Sequence, residues 1–224
     1  MFGFGESKPK PPFKEKFIDR FQTGEFARIK DFESNPRYVV KELYRLYDHM
    51  ENILIDKSGL QKLEPNQLIA LANQAKNIYL ILKKYLGPNV AETHFVAGAN
   101  QKEQNTVFFV QEKISGGTLK NQPPDVLKRF ESSIDDLYVR MMDMALAEDI
   151  SADPHPGNIM IGTRPGKDDP ELVFVDTYPL RMDPVWAYQG YLITYRELTD
   201  DKKLVLPRFL EKIKEMGQKI KSQK

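Results

Sequence analysis

The run from Thr106 to Ile114 sets the tightest limit on the fold, because its apolar residues are nearly continuous and do not alternate with polar ones. A strand with one wet face shows apolar residues at every second position. This pattern therefore predicts a strand covered on both faces. Two helical stripes are equally legible. After Pro65, residues Leu68, Leu71, Ala72, Ala75, Ile78, Tyr79, Leu82 and Tyr85 recur at helical steps until Gly87-Pro88 stops them. Leu127, Phe130, Ile134, Leu137, Met141 and Met144 form a second stripe, read as one core helix.

The rest of the chain follows from turn formers and short apolar runs. Phe17 to Phe21, Phe26 to Ile29 and Tyr38 to Lys41 read as strands, with Asn35-Pro36 turning the chain before the last of them. Two helical stretches are expected next, the second being the one that starts at Pro65. Glu92 to Ala97 is a further strand, and Ser115-Gly116-Gly117 is expected to break the long apolar run. Ser151 to Pro156 reads as loop, Asn158 to Ile161 as a short strand and Glu171 to Val175 as its hairpin partner. Between these two strands, Gly162 to Pro170 reads as an exposed turn. Residues 184–198 and 207–221 read as helices. The aromatic cluster Trp186, Tyr188, Tyr191 and Tyr195 reads as core packing. The class is α+β, with a strand-rich first half carrying an inserted helix and a helical second half, joined at Ser115–Leu119.

Composition excludes several functions. The 224 residues carry 33 Lys and Arg against 32 Asp and Glu, a formal charge of +1, so the chain lacks the basic excess that coats nucleic acid. With no cysteine, disulfides, iron–sulfur clusters and thiolate zinc sites are out. His49, His94 and His155 are too scattered to suggest a metal cage. No stretch approaches 18 consecutive apolar residues, and the N-terminal segment has no continuous apolar core of a signal peptide. A cytoplasmic protein without a transmembrane segment is expected.

Chemistry concentrates between Asp153 and Asp176. Asp153 and Asn158 lie on a loop entering one short apolar strand, and Leu172 to Val175 is a second such strand that ends on Asp176. A hairpin of these strands holds three oxygen-bearing side chains at its open end. Magnesium takes such ligands, one or two from protein and the rest from phosphate and water.

The segment Asp153-Pro154-His155-Pro156-Gly157-Asn158 resembles the catalytic loop of the protein-kinase-like superfamily, in the dialect of aminoglycoside and choline kinases and the atypical UbiB-type kinases. Val175-Asp176 then resembles the magnesium-binding strand. Val110 to Gly117 is similar to the hinge, Tyr38 to Lys41 to the lysine strand, and Phe21 to Ile29 to the glycine-rich loop. These motifs stand in the family's order. The resemblance implies a two-lobed protein-kinase-like fold with a small antiparallel-sheet N-lobe (16–114), a shortened helical C-lobe (115–224) and a flexible, basic, Pro-rich arm (1–15). It implies an ATP- and magnesium-dependent phosphotransferase with Asp153 as proton acceptor, and Asn158 and Asp176 as magnesium ligands. Lys41 would neutralise phosphate charge. Gly24 and Phe26 would belong to the loop over the nucleotide, Val39 and Met160 would sandwich adenine, Gln111 would be the gatekeeper, and the backbone of Glu112 and Ile114 would bond the base. His155 reads as a loop brace.

The sequence also departs from the family pattern. Residues 66–86 contain no glutamate to orient Lys41, so either a glutamate outside that span pairs with it, Glu64 before Glu51, or a glutamine within it, Gln67 or Gln74, replaces the ion pair, or activity is low; Ser151-Ala152 stand where regulated kinases carry His-Arg. Only 48 residues follow Asp176, without an Ala-Pro-Glu motif. The Lys-x-Gly-Gln signature of the UbiB type is missing. The partners implied are a nucleotide and a hydroxyl-bearing acceptor, protein slightly preferred over small molecule or glycan. A nucleotide-binding scaffold and an AMP transferase are the alternatives.

Overall fold

The computed structural model describes residues 22–23, 27–32, 35–43, 45–48, 51, 53–100, 102–148, 150–177 and 184–222. The arm 1–15, the expected strand Phe17–Phe21, Gly24 and Phe26 lie outside them. The chain divides into two compact units, Met1–Gln74 with His94–Gln111, and Ala75–Thr93 with Glu112–Lys224.

Strands of the first unit, in chain order, are β1 (Gln22–Thr23), β2 (Ala27–Asp31), β3 (Tyr38–Leu43), β4 (Arg45–Asp48), β5 (Ile53–Asp56), β6 (Thr93–Ala99) and β7 (Asn105–Glu112). Five of them form a sheet in the order β1-β2-β3-β7-β6, and β4 pairs with β5 alone. The strand from the continuous apolar run is β7, flanked on both edges, and Thr106 to Glu112 are all buried. On one face Val40, Phe108 and Val110 pack with Phe32, Tyr38 and Val96. On the other, Phe95 meets Phe109 edge-on at 4.5 Å. Buried polar atoms of the sheet are paired: Asn100 Nδ2 donates to Glu42 at 2.8 Å, and Thr106 Oγ1 to the Leu43 carbonyl at 3.1 Å.

The first of the two expected helical stretches is instead the β4–β5 hairpin followed by a short helix, α1 (Lys57–Lys62). β-branched Ile53 and Ile55 favour the extended state, and Asp48 Oδ1 accepts the Glu51 N–H at 3.2 Å in the turn. Asp56 then caps α1 through the Gly59 N–H at 2.8 Å. Helix α2 (Pro65–Leu86) follows the sequence stripe, with Pro65 in its first turn and the Gln67 side chain returning to the Glu64 N–H at 2.9 Å. It ends where Gly87 adopts φ 57°, a left-handed conformation that suits glycine.

In the second unit, β8 (Ser115–Thr118), β9 (Ile159–Thr163) and β10 (Glu171–Phe174) make a sheet in the order β10-β9-β8. Four further helices are α3 (Pro124–Arg129), α4 (Glu131–Glu148), α5 (Pro184–Arg196) and α6 (Pro207–Ser222). Three sequence expectations change here. Ser115-Gly116-Gly117 does not simply break a strand; it becomes β8. Gly116 lies opposite Gly162, and a Cβ on Gly116 would meet the Ile161 carbonyl oxygen at 2.1 Å. Only glycines allow backbones this close. The single helix expected over Leu127–Met144 is two, because a tight Phe130 N–H to Leu127 carbonyl bond of 3.0 Å closes α3. Trp186 is 68% exposed rather than core, while Tyr191 is fully buried.

Charged side chains of α4 fasten this unit. Asp135 of α4, 5% exposed, accepts the Arg208 and Phe209 N–H groups at 3.2 and 2.8 Å and so caps α6. Arg140 donates to the Leu86 carbonyl at 2.8 Å and to Asn89 at 2.7 Å, satisfying the C-terminal end of α2. Phe209 stacks on Tyr138 at 4.6 Å and meets Tyr191 and Tyr195 edge-on.

Two outcomes are expected. Gly116→Ala loses at least about 1–3 kcal/mol in urea denaturation, the usual cost of overpacking. Glu131, whose carboxyl is held below its ordinary value of 4.5 by the Lys128 ammonium and the Val205 N–H, contributes fully above that pH and loses its contribution as pH falls through the lowered value. The stability gap between wild type and Glu131→Gln, measured from pH 7 downward, therefore narrows below 4.5.

Candidate functional site

The hairpin β9–β10 fixes the geometry of the acidic loop. Its register pairs Ile159 with Phe174, and one step further the Val175 N–H donates to the Asn158 carbonyl at 2.8 Å. Asp176 therefore follows directly on the residue bonded to Asn158. On the other side of Asn158, its amide Nδ2 donates to Asp153 Oδ2 at 2.8 Å. Asp153 and Asn158 are thus joined through their side chains, and Asp176 follows the strand partner of Asn158 at the open end of the hairpin.

Within the loop every turn has a partner. Asp153 Oδ1 accepts the His155 N–H at 3.0 Å, and the Asn158 N–H returns to the His155 carbonyl at 2.9 Å. His155 Nδ1 accepts the Gly157 N–H at 3.0 Å, so this ring nitrogen is occupied in shaping the loop. A Cβ on Gly157 would stand 2.8 Å from that nitrogen, which explains glycine there. Asp153 itself is exposed to solvent.

Beneath the loop lie two residues that the sequence reading missed. The Pro154 carbonyl accepts from the Tyr138 hydroxyl of α4 at 2.9 Å and from Thr194 Oγ1 of α5 at 3.3 Å. Tyr138 is fully buried, and burial raises its pKa well above 10.0, so it stays a donor through the neutral range. Burial likewise raises Tyr191, which lies 3.5 Å from Ser151 Oγ. A tyrosine beside an apolar stripe, at Ile134 plus four, was the available signal: a buried phenol needs a hydroxyl partner.

The residues expected at the nucleotide divide between the units. Val39 and Lys41 are half-buried on β3, opposite Asp31 and Ile29, and Gln111 is 2% exposed on β7. In the second unit Met160 and Val175 pack on Ile114, Ala91 and Val173. Glu112 is buried, and its carboxylate is ion-paired with Arg164. The expected exposed turn Gly162–Pro170 is thus exposed only in part. Gly162 is buried and the Arg164 side chain is 12% exposed, because its guanidinium is drawn inward by Glu112 and Glu171. The substitute glutamate Glu64 is exposed. Among the described residues no group of three His, Cys, Asp or Glu could hold a metal.

A scan against protein-family models and a search of curated proteins returned no match. Solved structures do match. One is the crystal structure of the Rio2 kinase–ADP/Mg2+–phosphoaspartate complex from Chaetomium thermophilum, at 15% identity and a TM-score of 0.52, over 89% of this chain. The fold is protein-kinase-like. This chain spans 61% of the length of the Rio2 chain, a likeness that concerns architecture. No helix among the described residues is long and apolar enough to cross a membrane.

If the Pro154 carbonyl is what carries the loop, Tyr138→Phe and Thr194→Val each cost about 0.5–1.5 kcal/mol in urea denaturation. The double variant costs more than their sum, since it leaves a buried carbonyl without a donor.

Proposed function

We propose that this chain is an ATP- and magnesium-dependent phosphotransferase acting on a hydroxyl, with a protein acceptor slightly preferred over a small molecule or glycan. The observation carrying this reading is the 2.8 Å bond from the Asn158 amide nitrogen to the Asp153 carboxylate. It turns the other end of the asparagine amide, its carbonyl oxygen, away from Asp153. That oxygen and the Asp176 carboxylate, one residue beyond the Val175–Asn158 bond, are the hard-oxygen ligands that this reading assigns to magnesium. When bound, magnesium supplies charge neutralisation for phosphate oxygens.

The remaining work falls to the chain. Asp153, exposed and oriented by two hydrogen bonds, accepts the acceptor hydroxyl's proton and aims its oxygen. Lys41 neutralises phosphate charge, and the backbone of Glu112 and Ile114 reads the base. Met160, Val39, Gln111, Gly24 and Phe26 are the further residues that this reading assigns to nucleotide binding. Phosphoryl transfer asks mainly for such positioning and little covalent chemistry from protein. The Rio2 structure contains, by its description, ADP and Mg2+, which supports the assignment of nucleotide and metal here.

A second reading is a nucleotide-binding scaffold, favoured by the absence of glutamate from residues 66–86. Magnesium-dependent ATP turnover separates the two. Under the enzyme reading, Asp153→Ala lowers turnover by about 10²–10⁴-fold, yet the variant still shifts its thermal unfolding midpoint on adding ADP. Unchanged turnover in Asp153→Ala would leave the scaffold.

A further inference from the structure

Helix α5 carries a stripe that neither the core nor the loop described above uses. Trp186, Gly190, Ile193 and Glu197 recur at steps of four, three and four residues, so they share one side of α5 and of the π-helical turn Glu197–Asp201 that continues it. Trp186 and Ile193 are 68% and 65% exposed, which leaves two large apolar side chains in water on one face. Glu197 is half-buried, and Asp200 and Asp201 after it are exposed. Among the described residues no cation pairs with these three carboxylates.

The stripe runs past Asp153. A Cβ on Gly190 would stand 3.5 Å from Pro154 Cγ, and Thr194, four residues on, donates to the Pro154 carbonyl at 3.3 Å. Pro154 is next to Asp153, which is exposed. Glu197 belongs to the same neighbourhood. Burial raises the pKa of Tyr138, the donor to that same Pro154 carbonyl, and the charges of Glu197 and Asp153 add to the rise. At a rise of 1.5 Å per residue, Trp186 lies about 6 Å along the helix from Gly190 on one side, and Glu197 about 10 Å on the other. An extended segment advances about 3.3 Å per residue, so these intervals are about two and three of its residues.

Resting on the phosphotransferase reading above, we propose that this stripe docks the protein acceptor as an extended segment. Its hydroxyl sits at Asp153, a large apolar residue about two positions to one side packs on Trp186, and a Lys or Arg about three positions to the other side reaches Glu197. The aliphatic stem of that Lys or Arg lies on Ile193, leaving its charged head at the carboxylates. An apolar contact and a negative charge on opposite sides of the reacting carboxylate match the side chains of a peptide; a small hydroxyl compound cannot reach both.

The test uses the full chain with magnesium and ATP. The acceptors are the serine peptides Leu-Ala-Ser-Ala-Ala-Lys and its reverse, Lys-Ala-Ala-Ser-Ala-Leu, each beside versions with alanine in place of the leucine or of the lysine. One order is expected to be phosphorylated with a kcat/KM about tenfold above its leucine-free version, the worth of burying one leucine on an apolar face. It exceeds its lysine-free version by about threefold, a factor that shrinks as salt is added. Trp186→Ala brings the leucine factor to within about twofold and Glu197→Gln does the same to the lysine factor, each leaving the other factor in place. Because Trp186 is the chain's one tryptophan, its emission changes on titration with the preferred peptide. Variants that slow all peptides in parallel, as damage to the fold would, overturn the docking stripe. So does a wild type that turns over ATP without preference among the peptides, and so does a wild-type dimer in sedimentation velocity that Trp186→Ala returns to monomer, since a second copy then covers this face. A chain without magnesium-dependent ATP turnover overturns the phosphotransferase reading itself, and the stripe as an acceptor site with it.

Discussion

The hydrogen bond from Tyr138 to the Pro154 carbonyl is the constraint on which the site depends. A phenol at zero exposure has no water to turn to, so burying Tyr138 in the α4–α6 core obliges the chain to bring an acceptor to it. The acceptor is the residue next to Asp153. The stack of Tyr138 on Phe209, with Tyr191 and Tyr195 edge-on, holds the ring. The large apolar burial of the helical unit thereby fixes the height of a solvent-exposed carboxylate.

Charge completes what packing begins. Asp135 caps α6 and Arg140 closes α2, so both helix ends that bear on α4 have their backbone groups satisfied by charged side chains of that helix. Arg164 does the corresponding work at the edge of the β9–β10 hairpin. The Arg164 ion pairs add modestly to net stability, because desolvation offsets most of the Coulomb attraction, but each one penalises alternatives in which a charge is left alone. Glycine plays the complementary part. Gly116 facing Gly162 lets β8 approach β9 closely enough that the segment after Glu112 is held beside the strand bearing Met160.

The elements that sequence alone reveals are those whose signal is local. The apolar run of β7, the stripe of α2 and the paired strands around Asp153 and Asp176 are each dictated by periodicity and turn chemistry within a few residues. The meeting of Asp153 with Asn158 is local too: five residues apart, on a loop shaped by its own backbone, they join through their side chains. The β4–β5 hairpin was less legible, because a four-residue strand carries too few residues to establish a period.

What the sequence determined, then, is the strand β7, the helix α2, the β9–β10 hairpin and the loop in which Asn158 meets Asp153. What tertiary structure decided is everything set by partners far along the chain. Tyr138 and Thr194 converge on Pro154 from 16 and 40 residues away, and Arg164 reaches Glu112 across 52. A polar residue in a helical stripe, or an arginine in a turn, looks the same in sequence whether it faces water or a buried acceptor. Desolvation separates the two cases, and it acts only once the core has closed around them.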